Sequence, residues 1–187
     1  MKPGTLFAAL FVTSVTFAAA SPASAGGYVS LGIGDGADLH GDLAQSFDTD
    51  DSTSHGKFAI GQRTGPFAIE ALVFGTDLIA PNGADYSTLS FGVDLKYFYG
   101  LGGNFELYGK GGLNKTWLRD DGESGDFSGR GKQLGLGLQY RFTTGLIGEV
   151  AVWLDLTRQY VELSDRETQS QLDGEIDTMN LGLSVGL

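Results

Sequence analysis

Two histidines, His40 and His55, flank a run of aspartates that includes Asp42, Asp48, Asp50 and Asp51, with Asp38 just before it. Imidazole beside carboxylate is the pairing used for acid–base work and for holding a divalent metal. Both histidines, however, lie in what reads as a polar loop, where solvated side chains are the ordinary outcome. The stretch Asp48-Thr49-Asp50-Asp51-Ser52-Thr53 opens like a calcium loop. Its sixth position is Thr53 instead of Gly and its twelfth is Ala59 instead of Glu, which excludes an EF-hand and leaves only loose divalent contacts by acidic loops. Gly182-Leu183-Ser184-Val185-Gly186 fits the nucleophile-elbow pattern, yet that elbow needs a following helix and a later His, and both histidines lie upstream. Ser54-His55 puts a hydroxyl beside an imidazole, but neighbours on a strand face opposite sides. Asn114-Lys115-Thr116 fits a glycosylation acceptor and sits inside a strand pattern. No catalytic residue, cofactor site or metal site emerges, and the expectation is a protein that is not an enzyme.

The elements that carry these residues read as strands. In residues 179–187 every odd position is Met, Leu or Val and every even one is Asn, Gly or Ser. That is the period of two of a strand, with successive side chains on opposite faces. The same alternation recurs around Leu31, Phe58, Ile69, Val93, Leu107, Leu136 and Leu154, which predicts eight strands. Short connections at 65–66, 100–104 and 143–145 alternate with longer acidic ones at about 35–54, 76–86, 118–129 and 162–177. All long loops therefore lie at one end of the sheet, and both chain termini at the other.

Composition narrows the class. The 187 residues include 30 Gly and no Cys, with a net charge of −11. Absent Cys excludes a disulfide scaffold, and the abundant Gly argues against helices. So acidic a chain is not expected to bind nucleic acid, which demands clustered cations. Residues 1–25 have the layout of a secretory signal peptide, with Lys2 first, an apolar stretch at 6–20 and Ala23-Ser24-Ala25 before Gly26. Residues 26–187 then form one domain. They hold no apolar run long enough for a membrane helix, which leaves strand-type crossing open.

Most of the 23 acidic residues fall in the long loops. The rest, Glu70, Asp94, Glu106, Glu149 and Asp155, sit in the polar register of the strands together with Lys57, Arg63, Lys96, Lys110 and Arg141. If the apolar register filled a soluble barrel, its outer wall would be mostly Gly, Ser and Ala, poorer in charge than a soluble surface. Reversed, the small residues and balanced charges fill the interior of an eight-stranded barrel and the Leu, Val and Phe register meets hydrocarbon. We expect Glu70, Asp94, Lys96, Glu106, Lys110, Arg141, Glu149 and Asp155 to form a structural interior network, with Trp153 helping to plug the lumen. Aromatics near the short turns (Phe67, Tyr97, Tyr99, Phe105, Phe142) and near the long loops (Tyr86, Trp117, Tyr160) are placed as two interfacial belts.

In this architecture, and in the patches Tyr28-Val29-Ser30-Leu31-Gly32-Ile33-Gly34, Leu134-Gly135-Leu136-Gly137-Leu138-Gln139-Tyr140-Arg141-Phe142 and the final strand, the chain resembles the small eight-stranded outer-membrane barrels of the OmpA-like and OmpX-like group. The resemblance implies an all-β, eight-stranded antiparallel up-and-down transmembrane β-barrel in the outer membrane of a Gram-negative bacterium. It implies a monomer embedded in outer-membrane lipid and lipopolysaccharide, inserted by the barrel-assembly machinery through its last strand. In that strand Leu187 stands where the family carries a terminal aromatic. A barrel alone is expected, as in OmpX-like members, without the peptidoglycan-binding domain of OmpA-type proteins. The function expected is surface interaction through acidic extracellular loops and a role in envelope integrity. The competing readings are a lipid A-modifying barrel enzyme, a small pore, and a secreted soluble calycin-like ligand-binding barrel.

Overall fold

The computed structural model describes residues 25–47, 54–79, 85–120, 127–144, 148–165 and 171–187. The expected signal peptide at 1–25, apart from Ala25, and the calcium-loop-like stretch at 48–53 lie outside these residues. The elements are β1 (Ala25–Asp35), β2 (Ala37–Gly41), α1 (Asp42–Ser46), β3 (Ser54–Thr64), β4 (Phe67–Ile79), β5 (Asp85–Gly102), β6 (Phe105–Asp120), β7 (Phe127–Thr144), β8 (Gly148–Asp165) and β9 (Gln171–Gly186). Each long strand pairs antiparallel with its sequence neighbours, and β1 pairs with β9 to close a ring of eight. Closure pairs the edges that an open sheet of eight would leave free, and the short β2 extends the pairing along β9 beyond the ring. The β3–β4 hairpin turns on Gly65 and Pro66, and Gly65 adopts the left-handed φ of 58° that so tight a loop needs. The amide of Leu187 donates to the Gly27 carbonyl at 2.8 Å, so the final residue stays tied to β1 without a terminal aromatic.

The facing follows the alternation. Leu31, Ile33, Val93, Leu113, Leu134, Leu136, Leu156 and Leu181 point outward, and Ile33 and Leu113 are each 72% exposed. Asp94 and Asp155, in the other register, are fully buried. An outward wall this apolar is incompatible with water, which removes the soluble calycin-like reading. On β7 the outward apolar positions run from Phe142 to Leu134. At about 3.3 Å per residue and a tilt of about 40° that stretch is roughly 20 Å tall, close to a transmembrane barrel's band. Phe67, Tyr97, Tyr99, Phe105 and Tyr140 border it on the short-turn side.

Three features differ from the sequence expectation. First, the strands run well past the membrane: β5, β7 and β8 each have 18 residues, against about 10 needed to cross. Asp77, Glu162, Asp173, Glu175 and Asp177, expected in loops, therefore ride on strands. Second, the first strand is broken by a bulge. Ile33 pairs with Leu181 and Ala37 with Thr178, so one strand advances four residues while β9 retreats three. Gly36, with φ 78°, absorbs the extra residue. A one-residue shift flips the faces, and Ala37 and Leu39 turn inward while Asp38 and His40 turn outward.

Third, the interior changes character at the long-loop end. Leu39, Leu43, Leu78, Leu118, Leu163 and Ile176 all point inward and are buried in one apolar cluster. The short helix α1 lays Leu43 across the mouth, and Phe47 packs edge-on against Tyr86 with ring centroids 5.1 Å apart. Tyr86, expected in the outer aromatic belt, is thus turned toward this cap. The physical reason is the change of solvent. Above the hydrocarbon the outer wall meets water, so apolar side chains there gain by facing inward.

Candidate functional site

The lumen below the cap holds the charges. Near the short-turn end, Arg63 donates through Nη1 and Nη2 to the two carboxylate oxygens of Glu106, at 2.8 and 2.9 Å. Gln139 donates to the same carboxylate at 2.6 Å, and Arg141 Nε lies 3.1 Å from it. Arg141 also reaches Glu149 at 3.1 Å, and this carboxylate sits half-exposed at the rim instead of inside. Arg63, Gln139, Arg141 and Glu149 line an open cavity of about 670 Å³ facing the short-turn side.

One level up, Glu70 accepts from Lys96 Nζ at 2.6 Å and from the Tyr28 hydroxyl at 2.8 Å. Beside it lies the densest cluster. Asp155 accepts from Lys110 Nζ at 2.7 Å, from Lys57 Nζ at 3.3 Å, and from Thr157 and Asn180 at 3.2 Å each. Lys57 belongs to β3, Lys110 to β6 and Asp155 to β8, so the carboxylate ties three separate walls together. Asp94 takes a hydrogen bond from Gln133, while its other oxygen is buried without a partner among the described residues. Like charges stand directly opposite on neighbouring strands, Glu70 across from Asp94 and Lys96 across from Lys110. Such pairs repel, and the ion pairs from other strands offset that repulsion. Above Asp155 lies a space of only about 10 Å³, lined by Lys57, Lys110, Gln133, Gln159 and Asn180, roughly one water's worth.

All eight expected network residues therefore face the lumen or its rim, but in separate groups: Glu106, Arg141 and Glu149 at the mouth, Glu70 with Lys96, Asp155 with Lys110, and Asp94 apart. Lys57 and Arg63 complete the groups, as do Tyr28, Gln133, Gln139 and Asn180. Their inward parity marked them in the sequence; their partners across the barrel did not follow from it. Trp153 lies in the lumen, 4% exposed, with Lys57 Nζ 5.3 Å from its ring centroid. It fits because Gly32 and Gly182 leave room: a Cβ on either would collide with the indole. Gly32→Val, where the nearest atoms to an added Cβ all belong to Trp153, should thus cost about 1–3 kcal/mol by overpacking. A lowered urea midpoint in the band-shift assay, recovered by adding Trp153→Ala, is the expected result.

The other sequence candidates do not converge. His55 points inward and bonds the Met179 carbonyl at 3.1 Å; His40 points outward, 3.4 Å from Asp177. Ser54 faces outward and donates to Asp77 at 3.3 Å, so Ser54 and His55 share no site. Ser184 bonds Ser30 at 3.0 Å inside the barrel, which makes its glycine-flanked motif a strand-packing feature.

Comparison with known proteins agrees with this geometry. The model for the outer membrane protein beta-barrel domain family matches residues 5–187. No curated protein sequence matches the chain. Among solved structures it is similar to Neisserial surface protein A (TM-score 0.64, 14% identity, covering 85% of this chain and 96% of that one). It is also similar to a major outer membrane protein of Thermus thermophilus (0.55, 13%, 87% and 99%) and to Ail, the attachment invasion locus protein of Yersinia pestis (0.50, 16%, 88% and 99%). At these identities the likeness is one of fold. With a closed ring of eight strands, an apolar outer wall and a charged lumen, the chain belongs to the outer membrane protein β-barrel family and resides in the Gram-negative outer membrane.

Proposed function

We propose that this barrel is non-enzymatic and acts at its outer end, where the acidic residues engage cationic surface ligands and metal-bridged lipopolysaccharide, while the braced wall contributes to envelope integrity. The observation that carries the reading is the double seal. Ion pairs at Asp155 cross the lumen, and the Leu43–Phe47 cap closes the end above them. Among the described residues, a lumen so filled argues against a route for a solute and favours the outer surface as the working part. Exposed Glu162 and Asp173, with partly exposed Glu175, crown β8 and β9, and the acidic residues of the outer connections add to the charge. Attraction of this kind acts over about 10 Å and weakens with salt.

Three measurements test the reading. In planar bilayers the purified barrel should show no discrete conductance steps; steps would establish a pore instead. In nanodiscs it should retain an immobilised cationic peptide at low ionic strength and release it at high salt. A variant carrying Glu162→Gln, Asp173→Asn and Glu175→Gln should retain several-fold less. Equal retention by that variant overturns the assignment to the acidic crown. In cells, loss of the barrel should raise sensitivity to detergent with chelator, and unchanged sensitivity removes the envelope role.

A further inference from the structure

The basic residues of the described wall fall into two sets. Lys57, Arg63, Lys96, Lys110 and Arg141 face the lumen. Lys115, Arg119, Arg130, Lys132 and Arg158 all face outward, and all lie on the three adjacent strands β6, β7 and β8. They begin where the apolar wall stops. Along β6 the outward residue after Leu113 is Lys115; along β7 Leu134 gives way to Lys132; along β8 Leu156 gives way to Arg158. Register staggers these steps by one outward position per strand, since Leu113 pairs with Lys132 and Leu134 with Arg158, and a constant stagger of this kind is what tilted strands need to keep a boundary level around a barrel. On β9 the same step leads from Met179 to Asp177, and on β1 from Ile33 to Asp35. The cations thus occupy one sector of the rim at the outer edge of the hydrocarbon.

Most of this sector forms no ion pair, although Glu162 stands directly across from Arg130 on β8. Arg158 is held by Asp177 at 2.6 Å and Glu175 at 3.2 Å. Among the described residues, Lys115, Arg119, Arg130 and Lys132 form no ion pair. Lys115 and Arg130 are moreover direct cross-strand partners. Like charges opposite one another on one face destabilise a sheet unless an anion lies between them. Lys115 and Lys132 rest over the rings of Trp117 and Tyr160, at 4.8 and 5.3 Å, which holds both ammonium groups at the membrane–water boundary. Diagonal neighbours on adjacent strands are about 7–8 Å apart, so Lys115, Arg130 and Lys132 span the width of one phosphorylated sugar.

We propose that Lys115, Arg130 and Lys132, with Arg119 above them, form a binding site for the phosphate groups of a phosphorylated glycolipid in the outer leaflet. The chemistry is that of cations meeting phosphate oxygens, Arg130 and Arg119 through planar forks and the lysines as point charges. The apolar wall directly below, Leu113 and Leu134, receives the acyl chains of the same molecule, which is why the occupant is a lipid and not a free anion. The proposal rests on the outer-membrane placement and adds to it a fixed lipid and a fixed side of the barrel.

The test uses the full barrel and four probes: purified lipopolysaccharide, the same lipid stripped of its phosphates, zwitterionic phosphatidylcholine, and inorganic phosphate. The wild-type barrel should retain lipopolysaccharide through washing in native mass spectra, with salt-dependent release, and retain the dephosphorylated lipid at least tenfold less. The variant Lys115→Gln with Arg130→Gln and Lys132→Gln should lose retention at least tenfold, while Arg158→Gln changes it less than twofold. The triple variant should also unfold at higher urea than wild type in phosphatidylcholine, because the repulsion is gone, and at lower urea in lipopolysaccharide, because the ligand is gone. Equal retention by the triple variant, or indifference to the lipid's phosphates, overturns the site. Displacement by millimolar inorganic phosphate as complete as by the lipid also overturns it, assigning a free-anion site. The wild-type comparison of intact and dephosphorylated lipid holds even if the variant does not fold. A barrel that shows the heat-dependent band shift and binds no lipopolysaccharide refutes this site alone; absence of the shift refutes the membrane reading itself.

Discussion

Asp155→Ala is expected to lower the stability of the folded barrel by about 3–5 kcal/mol, because it leaves two buried ammonium groups without their common carboxylate. Asp155 has no exposed surface, and the side chains of Lys57 and Lys110 are 4% and 2% exposed. Neither cation reaches water by a small movement, since both are packed within the sealed middle of the lumen. Asn180 and Thr157 lose their acceptor as well. Asp155→Asn retains part of the hydrogen bonding and removes the charge, so its loss should be large but smaller. Full replacement is expected to cost much less: Asp155→Leu with Lys57→Met and Lys110→Met leaves no buried charge unpaired, and only the hydrogen bonds of Asn180 and Thr157 remain unmade. Urea titration in phospholipid vesicles, read by the fraction of heat-shifted band, measures all three. If Asp155→Ala has the wild-type midpoint, the cross-lumen bracing is dispensable.

Leu138→Arg carries the second large effect, about 2–4 kcal/mol, expected when a cation faces the middle of the bilayer. Leu138 is 41% exposed and sits midway along the outward run from Phe142 to Leu134 on β7. On a water-facing wall the same change would stay within about 0.5 kcal/mol. The comparison with Lys132→Leu, three outward steps away at the rim, sharpens the depth dependence: near the interface the cost of charge falls to about 0–1 kcal/mol. The measurement is again the urea midpoint, in bilayers and then in a short-chain detergent. Equal midpoints for wild type and Leu138→Arg in the bilayer would mean that this face does not meet hydrocarbon.

How much of this was legible before the structure depends on how local each feature is. A strand's facing needs only its own residues, because successive side chains alternate whatever they pair with. Met179, Leu181, Leu183 and Val185 against Asn180, Gly182 and Ser184 therefore declare both a strand and its two faces. The same parity assigned Asp94, Asp155, Lys110 and Trp153 to the interior. The short turn at Gly65-Pro66 was equally readable, since the left-handed φ is a local demand on glycine.

Other features are properties of the closed ring. Which cation meets Asp155 depends on how far the strands are staggered around the barrel, and Lys57, 98 residues earlier, carries no local mark of that meeting. The bulge at Gly36 shifts register by one residue, so alternation read across it assigns Leu39 and His40 to the wrong faces. Strand ends were underestimated because a composition rich in Asp and Gly reads as loop, while pairing to an existing neighbour holds such residues in the ladder. The outward cations are scattered along the chain from Lys115 to Arg158, and only lateral pairing of β6, β7 and β8 gathers them into one sector. Sequence alone determined that this chain is a β-barrel with an apolar outside, through a pattern that repeats every two residues. Tertiary structure decided which charges neutralise one another, where the lumen is sealed and which side of the rim is basic, because each of these joins residues that meet only when strands pair in register and the sheet closes.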